Sequence, residues 1–201
     1  MDTSLPIIPH AAAIAASVRN QRVTILSAET GAGKSTAVPL FLLADSMANE
    51  QRPRIVVSQP RRIAAIQLAK RVKEQLGLAN SGWKVGHRIM NDVNDNHAHV
   101  VYATVGYLVN WLAHSPTALK DASHIILDEA HERSVDQDLL ALLLKRRMQD
   151  LPTLKLIIMS ATLETSLYAD YFREFNQDGS VDSLKVGVKR FPVERLYMMI
   201  S

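Results

Sequence analysis

One stretch decides the fold of this chain: Val23-Thr24-Ile25-Leu26-Ser27-Ala28-Glu29-Thr30-Gly31-Ala32-Gly33-Lys34-Ser35-Thr36. The apolar run at its start predicts a buried strand and the residues from Lys34 onward predict a helix, so the glycines fall in the turn between them. Glycine adopts the positive φ angles that such a turn needs, and it lets backbone N–H groups approach phosphate oxygens. The N-terminus of the following helix adds unpaired N–H donors. The stretch therefore predicts a phosphate-binding loop, in which Lys34 contacts the β- and γ-phosphates of a nucleoside triphosphate and the Ser35 hydroxyl is a ligand of Mg²⁺.

Position 28 departs from the strict form of this loop, which has glycine where the chain has Ala28. Alanine costs little there if the backbone has a negative φ angle. With a positive φ angle, the affinity for nucleotide would suffer.

A pair of carboxylates follows a second apolar run, Ile125-Ile126-Leu127. This run predicts a strand that delivers Asp128 and Glu129 to the carboxyl edge of a sheet, where ligands of open α/β folds bind. Asp128 is the candidate for holding Mg²⁺, directly or through its water shell, and Glu129 is the candidate for orienting and deprotonating the attacking water. Because no His or Cys near His131 has the spacing of a tetrahedral metal site, we expect His131 to be a polar coupler near the γ-phosphate or a structural histidine. Together with the phosphate loop, the pair predicts hydrolysis of a nucleoside triphosphate.

Composition limits the class of protein. The chain has 201 residues, enough for one domain or for one domain and a fragment of another, and 47% of them are hydrophobic. No apolar run approaches about 18 residues, so we expect no membrane span, and the first residues lack the pattern of a secretory signal. The absence of cysteine excludes disulfides and Cys-ligated metals and fits a reducing, intracellular compartment. A net charge of +3 is too small to diagnose nucleic-acid binding by itself.

Short apolar runs recur along the chain and are separated by helical patterns. The runs do not alternate with polar residues, as is typical of strands covered on both faces; they span 23–26, 55–57, 100–102, 125–127 and 156–159. Apolar residues at helical spacing lie between them, in 65–76, 105–112 and 139–144. Strands alternating with helices predict an α/β fold, a three-layer sandwich whose mostly parallel central sheet has helices on both faces. The apolar residues of 186–201 predict one further strand.

The sequence resembles the DEAH-box RNA helicases of superfamily 2 over nearly its whole length. The matching stretches are Glu29–Thr36 for motif I, Ser58–Ala65 for motif Ia, Thr104–Gly106 for motif Ib, Asp128–Ser134 for motif II and Ser160–Thr162 for motif III. The resemblance implies that residues 1–192 form a RecA-like, P-loop NTPase domain, the first of two. Residues 193–201 would begin the connection to a second RecA-like domain that this chain lacks.

The resemblance also assigns roles. The residues expected to bind ATP and Mg²⁺ are Glu29, Thr30, Gly31, Ala32, Gly33, Lys34, Ser35, Thr36 and, for the metal, Ser35 and Asp128. The expected catalytic set is Glu129, Asp128, Lys34 and His131. Ser160 and Thr162 would couple the nucleotide state to domain movement.

Basic residues supply the expected contacts to RNA. Arg61 and Arg62 follow Pro60 at a predicted helix start, where their charges and the free backbone donors suit a nucleic-acid phosphate, and Thr104 offers a hydroxyl to the same backbone. Arg71 lies nine residues beyond Arg62, which at 100° per residue places it on roughly the opposite side of the helix. Arg71 therefore does not share the ligand of Arg62, and the resemblance implies that it stacks on the nucleotide base.

The expected function is coupling of ATP hydrolysis to translocation on, or unwinding of, RNA, with the isolated fragment binding nucleotide but hydrolysing it slowly. Expected partners are single-stranded RNA or an RNA duplex, the second RecA-like domain and an accessory protein activator. Two other classes stay open: a nucleotide-switched RNA-binding scaffold or remodelling factor without unwinding activity, and a non-helicase P-loop enzyme such as a kinase. DNA in place of RNA is a variant of the helicase hypothesis.

Overall fold

The computed structural model describes residues 4–49, 51–78, 82–90, 92–95, 97–162 and 166–186. The strands of this part of the chain are β1 (Val23–Ala28), β2 (Ile55–Gln59), β3 (Val85–Ile89), β4 (Asp92–Asn94), β5 (Val100–Thr104), β6 (His124–Leu127), β7 (Lys155–Ser160) and β8 (Asp182–Val186). The helices are α1 (Ala11–Asn20), α2 (Lys34–Ala48), α3 (Arg62–Leu78), α4 (Val105–His114), α5 (Val135–Asp150) and α6 (Ser166–Phe172).

The strands form one eight-stranded sheet in the order β4-β3-β5-β2-β6-β7-β1-β8. Neighbouring strands are parallel, with the exception of β3 and β4, which form an antiparallel pair at one edge. The order is not the order of the sequence, because parallel strands need crossover connections, and helices supply them here.

Hydrophobic cores cover both faces of the sheet. On one face, side chains of α1, α2 and α3 pack with strand residues that include Ile126 and Ile157. On the other face, α4, α5 and α6 pack with the neighbouring residues Ile125 and Ile158. Since successive side chains of a strand point to opposite faces, this arrangement explains why the central strands are apolar throughout. The predicted three-layer α/β sandwich is confirmed.

Five of the strands and the helices between them were predicted from the apolar runs, whereas β3, β4 and β8 were not. Of the further strand predicted for 186–201, only Val186, the last residue of β8, lies within the described residues, and the domain boundary predicted at 192 lies outside them. None of the helices in the part of the chain described here is long and apolar enough to cross a membrane.

The sheet brings distant motifs to one edge. Gln59 and Thr104 are paired residues at the ends of β2 and β5, and Ser27 pairs with Ser160 across β1 and β7. Because these strands are parallel, the segments that follow them emerge at the same carboxyl edge. β7 lies between β1 and β6, so motif III lies between the phosphate loop and the carboxylate pair.

Candidate nucleotide-binding site

The phosphate loop leaves the sheet directly after Ala28. Ala28 is the last residue of β1 and pairs with Val186 of β8, so its backbone is extended and alanine costs nothing in conformation. The glycines carry the strained geometry instead: φ is +84° at Gly31 and +93° at Gly33. At Gly33 a Cβ atom would lie 2.8 Å from Cδ1 of Leu5, so this position needs glycine for both its backbone and its space.

A segment at the start of the chain supports the loop from outside. Leu5 and Ile7 are buried, and the backbone N–H of Ile7 donates a hydrogen bond of 3.3 Å to the carbonyl of Ala32. Ala32 itself is buried in the adjoining core. The loop is thereby fixed before any phosphate binds, while Glu29, Thr30 and Gly31 remain exposed.

Lys34 is folded back onto the loop. Its side chain is 5% exposed, and its Nζ donates to the carbonyl of Ala28 and, at 3.2 Å, to that of Glu29. Burial lowers the pKa of Lys34, and the nearby carboxylates of Glu129 and Asp128 oppose that shift. The hydrogen-bond partners of the Lys34 ammonium are neutral carbonyls. It can therefore still bind an anion, such as a phosphate group of a nucleoside triphosphate.

Asp128 lies where β6 meets the phosphate loop. It is fully buried and accepts hydrogen bonds from the side chain of Gln59 at 2.6 Å and from the backbone N–H of Glu129 at 2.9 Å. Burial raises the pKa of Asp128, and the nearby hydroxyl of Ser35 and the amide of Gln59 hold it down. The two predicted metal ligands, Ser35 and Asp128, thus lie close together although 93 positions separate them in the sequence.

Three buried side chains complete this arrangement and were not predicted. Gln59 holds the carboxylate as described. Gln137 on α5 donates from Nε2 to the carbonyls of Asp128 and Glu129 at 3.2 and 3.1 Å. Tyr102 on β5 donates to the carbonyl of Ser35 at 2.6 Å, and burial raises its pKa well above the ordinary value, so the phenol stays protonated and can donate.

Glu129 and His131 connect the carboxylate pair to motif III. Glu129 has a left-handed backbone, with φ of +52°, an uncommon conformation for a residue that is not glycine. Nδ1 of His131 lies 3.4 Å from Oε2 of Glu129 and accepts a hydrogen bond of 3.3 Å from the backbone N–H of Ala161.

Motif III is tied to the phosphate loop as well. The hydroxyl of Ser27, on β1, donates to the carbonyl of Thr162 at 2.8 Å. The Ser160 hydroxyl accepts from the backbone N–H of Thr162 at 3.1 Å. The segment 160–162, which contains the two residues predicted to couple nucleotide state to domain movement, is therefore hydrogen-bonded to two parts of the site. Thr162 contacts β1, which leads into the phosphate loop, and Ala161 contacts His131, which follows the carboxylate pair.

A cavity of about 360 Å³ opens in front of the loop, a volume within the range of small-molecule sites. Its lining residues come from the N-terminal segment, the loop, α3 and the carboxylate pair: Leu5, Thr30, Gly31, Gly33, Lys34, Ser35, Thr36, Leu68, Arg71 and Glu129. Arg71 lines the cavity and Arg62 does not, as the helical geometry of α3 led us to expect.

The residues predicted to bind RNA lie along the same edge, beyond β2. Arg61 and Arg62 are exposed at the start of α3, and the carbonyl of Arg61 accepts the first hydrogen bond of that helix. Arg61 also lies 3.5 Å from Oε1 of Glu132, in motif II. Thr104 is only 6% exposed, so the two arginines present most of the accessible surface.

Comparison with known proteins identifies a family and several relatives of this chain. The family model described as DEAD/DEAH box helicase matches residues 8–169. The chain is 37% identical to the human ATP-dependent RNA helicase DHX29 over 202 aligned residues and 36% identical to the human putative ATP-dependent RNA helicase DHX57 over 198. These alignments cover 96% and 97% of this chain but only 14% of each relative. The probable ATP-dependent RNA helicase spindle-E of Anopheles gambiae is 40% identical over 78% of this chain and 11% of its own length.

Proposed function

The chain belongs to the DEAD/DEAH box helicase family, and on that premise we propose that it is the ATP-binding domain of a helicase that couples hydrolysis of ATP to movement on, or unwinding of, RNA. The observation that carries the proposal is that Lys34 and Ser35 of the phosphate loop line the same cavity as Glu129 of the carboxylate pair. Burial lowers the pKa of Lys34, and Asp128, the other carboxylate of the pair, is near enough to oppose that shift.

The chemistry of Ser35 and Asp128 fits Mg²⁺. A hydroxyl and a carboxylate are hard oxygen ligands, which Mg²⁺ prefers, and the ion is ordinarily held by one or two protein groups together with phosphate and water oxygens. Within the described residues no group of three or more His, Cys, Asp or Glu side chains could hold a metal ion. Ser35 and Asp128 would therefore hold Mg²⁺ jointly with the nucleotide, and the bound ion would neutralise charge on the phosphates.

Each of the remaining site residues would bind the nucleotide or take part in its hydrolysis. Lys34 would leave the carbonyls of Ala28 and Glu29 and donate to the β- and γ-phosphates. Glu129 would orient the attacking water and accept its proton. His131 would couple hydrolysis to motif III through the hydrogen bond that its Nδ1 accepts from Ala161. Arg71, at the far side of the cavity, would stack on the base.

The RNA partner would bind at the exposed arginines. Arg61 and Arg62 offer two cations beside the N-terminus of α3, a place where backbone N–H groups also attract phosphate. Contacts of this kind reach the nucleic-acid backbone and not the base edges, so binding would depend little on sequence. Thr104 would add a hydroxyl.

The chain alone would bind nucleotide but hydrolyse it slowly. Its relatives are about seven times longer, and a second RecA-like domain would supply arginine fingers across the cleft. Such arginines contribute on the order of 10³- to 10⁵-fold to related phosphoryl transfers. Domain closure and reopening, with Ser160 and Thr162 as the coupling elements, would belong to the longer protein.

Two experiments test the proposal. In the first, calorimetry of the 201-residue chain with Mg-ATP should show saturable binding that Lys34→Ala abolishes and that the exposed-lysine control Lys73→Ala leaves intact. In the second, the longer protein should hydrolyse ATP faster with RNA and displace a strand from an RNA duplex. Unchanged ATP hydrolysis in the Lys34→Ala protein would refute the nucleotide site.

The second experiment also separates the alternatives. RNA-stimulated hydrolysis without strand displacement would indicate a nucleotide-switched scaffold or remodelling factor. Displacement of DNA strands in preference to RNA strands would indicate a DNA helicase. Membership of the helicase family argues against a P-loop kinase.

A further inference from the structure

We propose that Tyr102 is a positioning residue for the metal ligand Ser35, and that it takes the place of a backbone N–H that Pro39 cannot supply. The proposal rests on the nucleotide site proposed above and adds to it a residue outside the phosphate loop. Tyr102 would not contact nucleotide or metal. It would hold the main chain of the residue that does.

The need for such a residue comes from the proline inside α2. In an α-helix the carbonyl of residue 35 accepts a hydrogen bond from the N–H of residue 39. The chain has Pro39 within α2 at that position, and proline has no backbone N–H. The carbonyl of Ser35 therefore lacks its helical donor, in a part of the helix that is buried.

Tyr102 supplies a donor from another layer of the fold. It lies on β5, 67 positions from Ser35, and its hydroxyl donates to the Ser35 carbonyl at 2.6 Å. Tyr102 is fully buried, so its hydroxyl has no access to water as an alternative partner. The match between an absent N–H and an incoming phenol explains why a polar atom occurs at this point of an apolar core.

The bond matters because it fixes the main chain of Ser35 beside Asp128. The hydroxyl of Ser35 is near enough to Asp128 to hold down the pKa that burial raises, and the carbonyl of Ser35 is held from β5 by Tyr102. The first turn of a helix is where the intrahelical hydrogen bonds are fewest. Without Tyr102, the turn that carries Ser35 would keep only the bonds from the loop side, and the hydroxyl would be free to leave the metal position.

Nucleotide titration of the 201-residue chain tests this, with Mg²⁺ and with EDTA. In Tyr102→Phe, the affinity for Mg-ATP should fall about tenfold, the upper range for one lost hydrogen bond. The affinity for metal-free ATP should change less than about twofold, because loop N–H groups and Lys34 hold the phosphates without Ser35. The control Tyr171→Phe should change neither affinity.

A second substitution distinguishes positioning from packing. Pro39→Ala restores the N–H at residue 39, so in the Tyr102→Phe background it should recover most of the Mg-ATP affinity and raise the temperature of thermal unfolding. In the wild-type background, Pro39→Ala should raise neither the affinity for Mg-ATP nor the unfolding temperature. Recovery by an added N–H is not expected if Tyr102 only fills space.

The outcomes are decisive. Unchanged Mg-ATP affinity in Tyr102→Phe, equal loss with and without Mg²⁺, or failure of Pro39→Ala to recover affinity would each overturn the positioning role. Failure of the proposed function would look different, because the unsubstituted chain would then bind no Mg-ATP.

Discussion

The side-chain amide of Gln59 donates a hydrogen bond of 2.6 Å to Oδ2 of Asp128, and this bond joins the ends of two neighbouring strands, β2 and β6. Motif Ia is thereby connected to motif II inside the sheet, two positions before Arg61 begins the proposed RNA surface. Because Asp128 is fully buried, its charge depends on such donors. Gln59 thus acts on the proposed metal ligand, while Arg61 and Arg62, which follow it in the chain, belong to the proposed RNA surface.

Replacing Gln59 with leucine should weaken binding of Mg-nucleotide and make it more sensitive to acid. The hydrogen bond from Gln59 lowers the pKa of Asp128, so its loss lets that pKa rise, and the protonated carboxyl no longer binds Mg²⁺. A hydrogen bond to a charged group contributes about 1.5–3 kcal/mol, which corresponds to a tenfold or larger loss of affinity. Titrations with Mg-ATP at a series of pH values should show the acidic limb displaced to higher pH in the variant.

The control for this prediction is Gln67→Leu, at an exposed position of α3. It should leave both the affinity and its pH dependence unchanged. An acidic limb at the same pH in Gln59→Leu and in the unsubstituted chain would contradict the role given to the amide.

Asp128→Asn should stabilise the nucleotide-free protein while removing metal binding. Burial raises the pKa of Asp128 above its ordinary value of 3.8. The native state therefore holds this proton more tightly than the unfolded state, and the free energy of unfolding falls as the pH rises through the native pKa. At neutral pH the ionised carboxyl costs stability, and asparagine does not carry that charge.

The expected result is a higher unfolding temperature of the nucleotide-free protein, on a scale where about 1 kcal/mol corresponds to roughly 2–4 °C for a domain of this size. The amide of Gln59 can turn over, so that its oxygen accepts from the new Nδ2. Thermal unfolding in EDTA at several pH values should show a difference between variant and parent that shrinks as the pH is lowered. Asp136→Asn, an exposed control, should show no such difference.

The sequence predicted the central strands because those strands are covered on both faces. β3 and β4 lie at one edge of the sheet, where β3 carries polar residues such as His87 and Arg88, and all of β4 is exposed. β8, at the other edge, is mostly exposed as well. Strands that are not covered on both faces do not need continuous apolar runs. The pattern that identifies the central strands therefore cannot identify these edge strands.

The same contrast holds within the site. Lys34, Asp128 and Glu129 were predictable because a glycine-rich loop and a carboxylate pair are distinctive combinations of residues. Gln59, Tyr102 and Gln137 are ordinary residues whose importance comes from a partner elsewhere in the chain. For Tyr102 the one sign in the sequence was Pro39. A proline at that position of a helix leaves the carbonyl of Ser35 without its helical donor, but it does not indicate which residue donates instead.

Removing the charge of Glu132 should strengthen binding of RNA. Its carboxylate lies 3.5 Å from the guanidinium of Arg61, with exposed fractions of 35% and 78%. An exposed ion pair of this kind contributes about 0–1 kcal/mol, so Glu132→Gln should raise the affinity for single-stranded RNA by at most about fivefold. Arg61→Ala should lower the affinity and reduce the slope of log K against log salt by about one.

The double variant tests whether the pair itself is responsible. In the Arg61→Ala background, Glu132→Gln should have a smaller effect than in the unsubstituted chain, because the released cation is absent. Equal effects in both backgrounds would mean that Glu132 acts only through its general negative charge.

Gln137→Leu should impair both the stability and the catalytic geometry of the carboxylate pair. The Gln137 amide donates to the carbonyls of Asp128 and Glu129, and these bonds stabilise the left-handed backbone of Glu129. The carbonyl of Glu129 keeps its hydrogen bond from the N–H of Glu132, but leaving the buried carbonyl of Asp128 without the Gln137 donor costs about 1–3 kcal/mol, or several degrees in unfolding temperature. In the longer protein, kcat for ATP should fall more than KM rises, because the role proposed for Glu129 is to act on the attacking water and not on the bound nucleotide. Gln149→Leu, an exposed position on the same helix, provides the matched control, and a fall in stability with kcat intact would show that Gln137 supports only the fold.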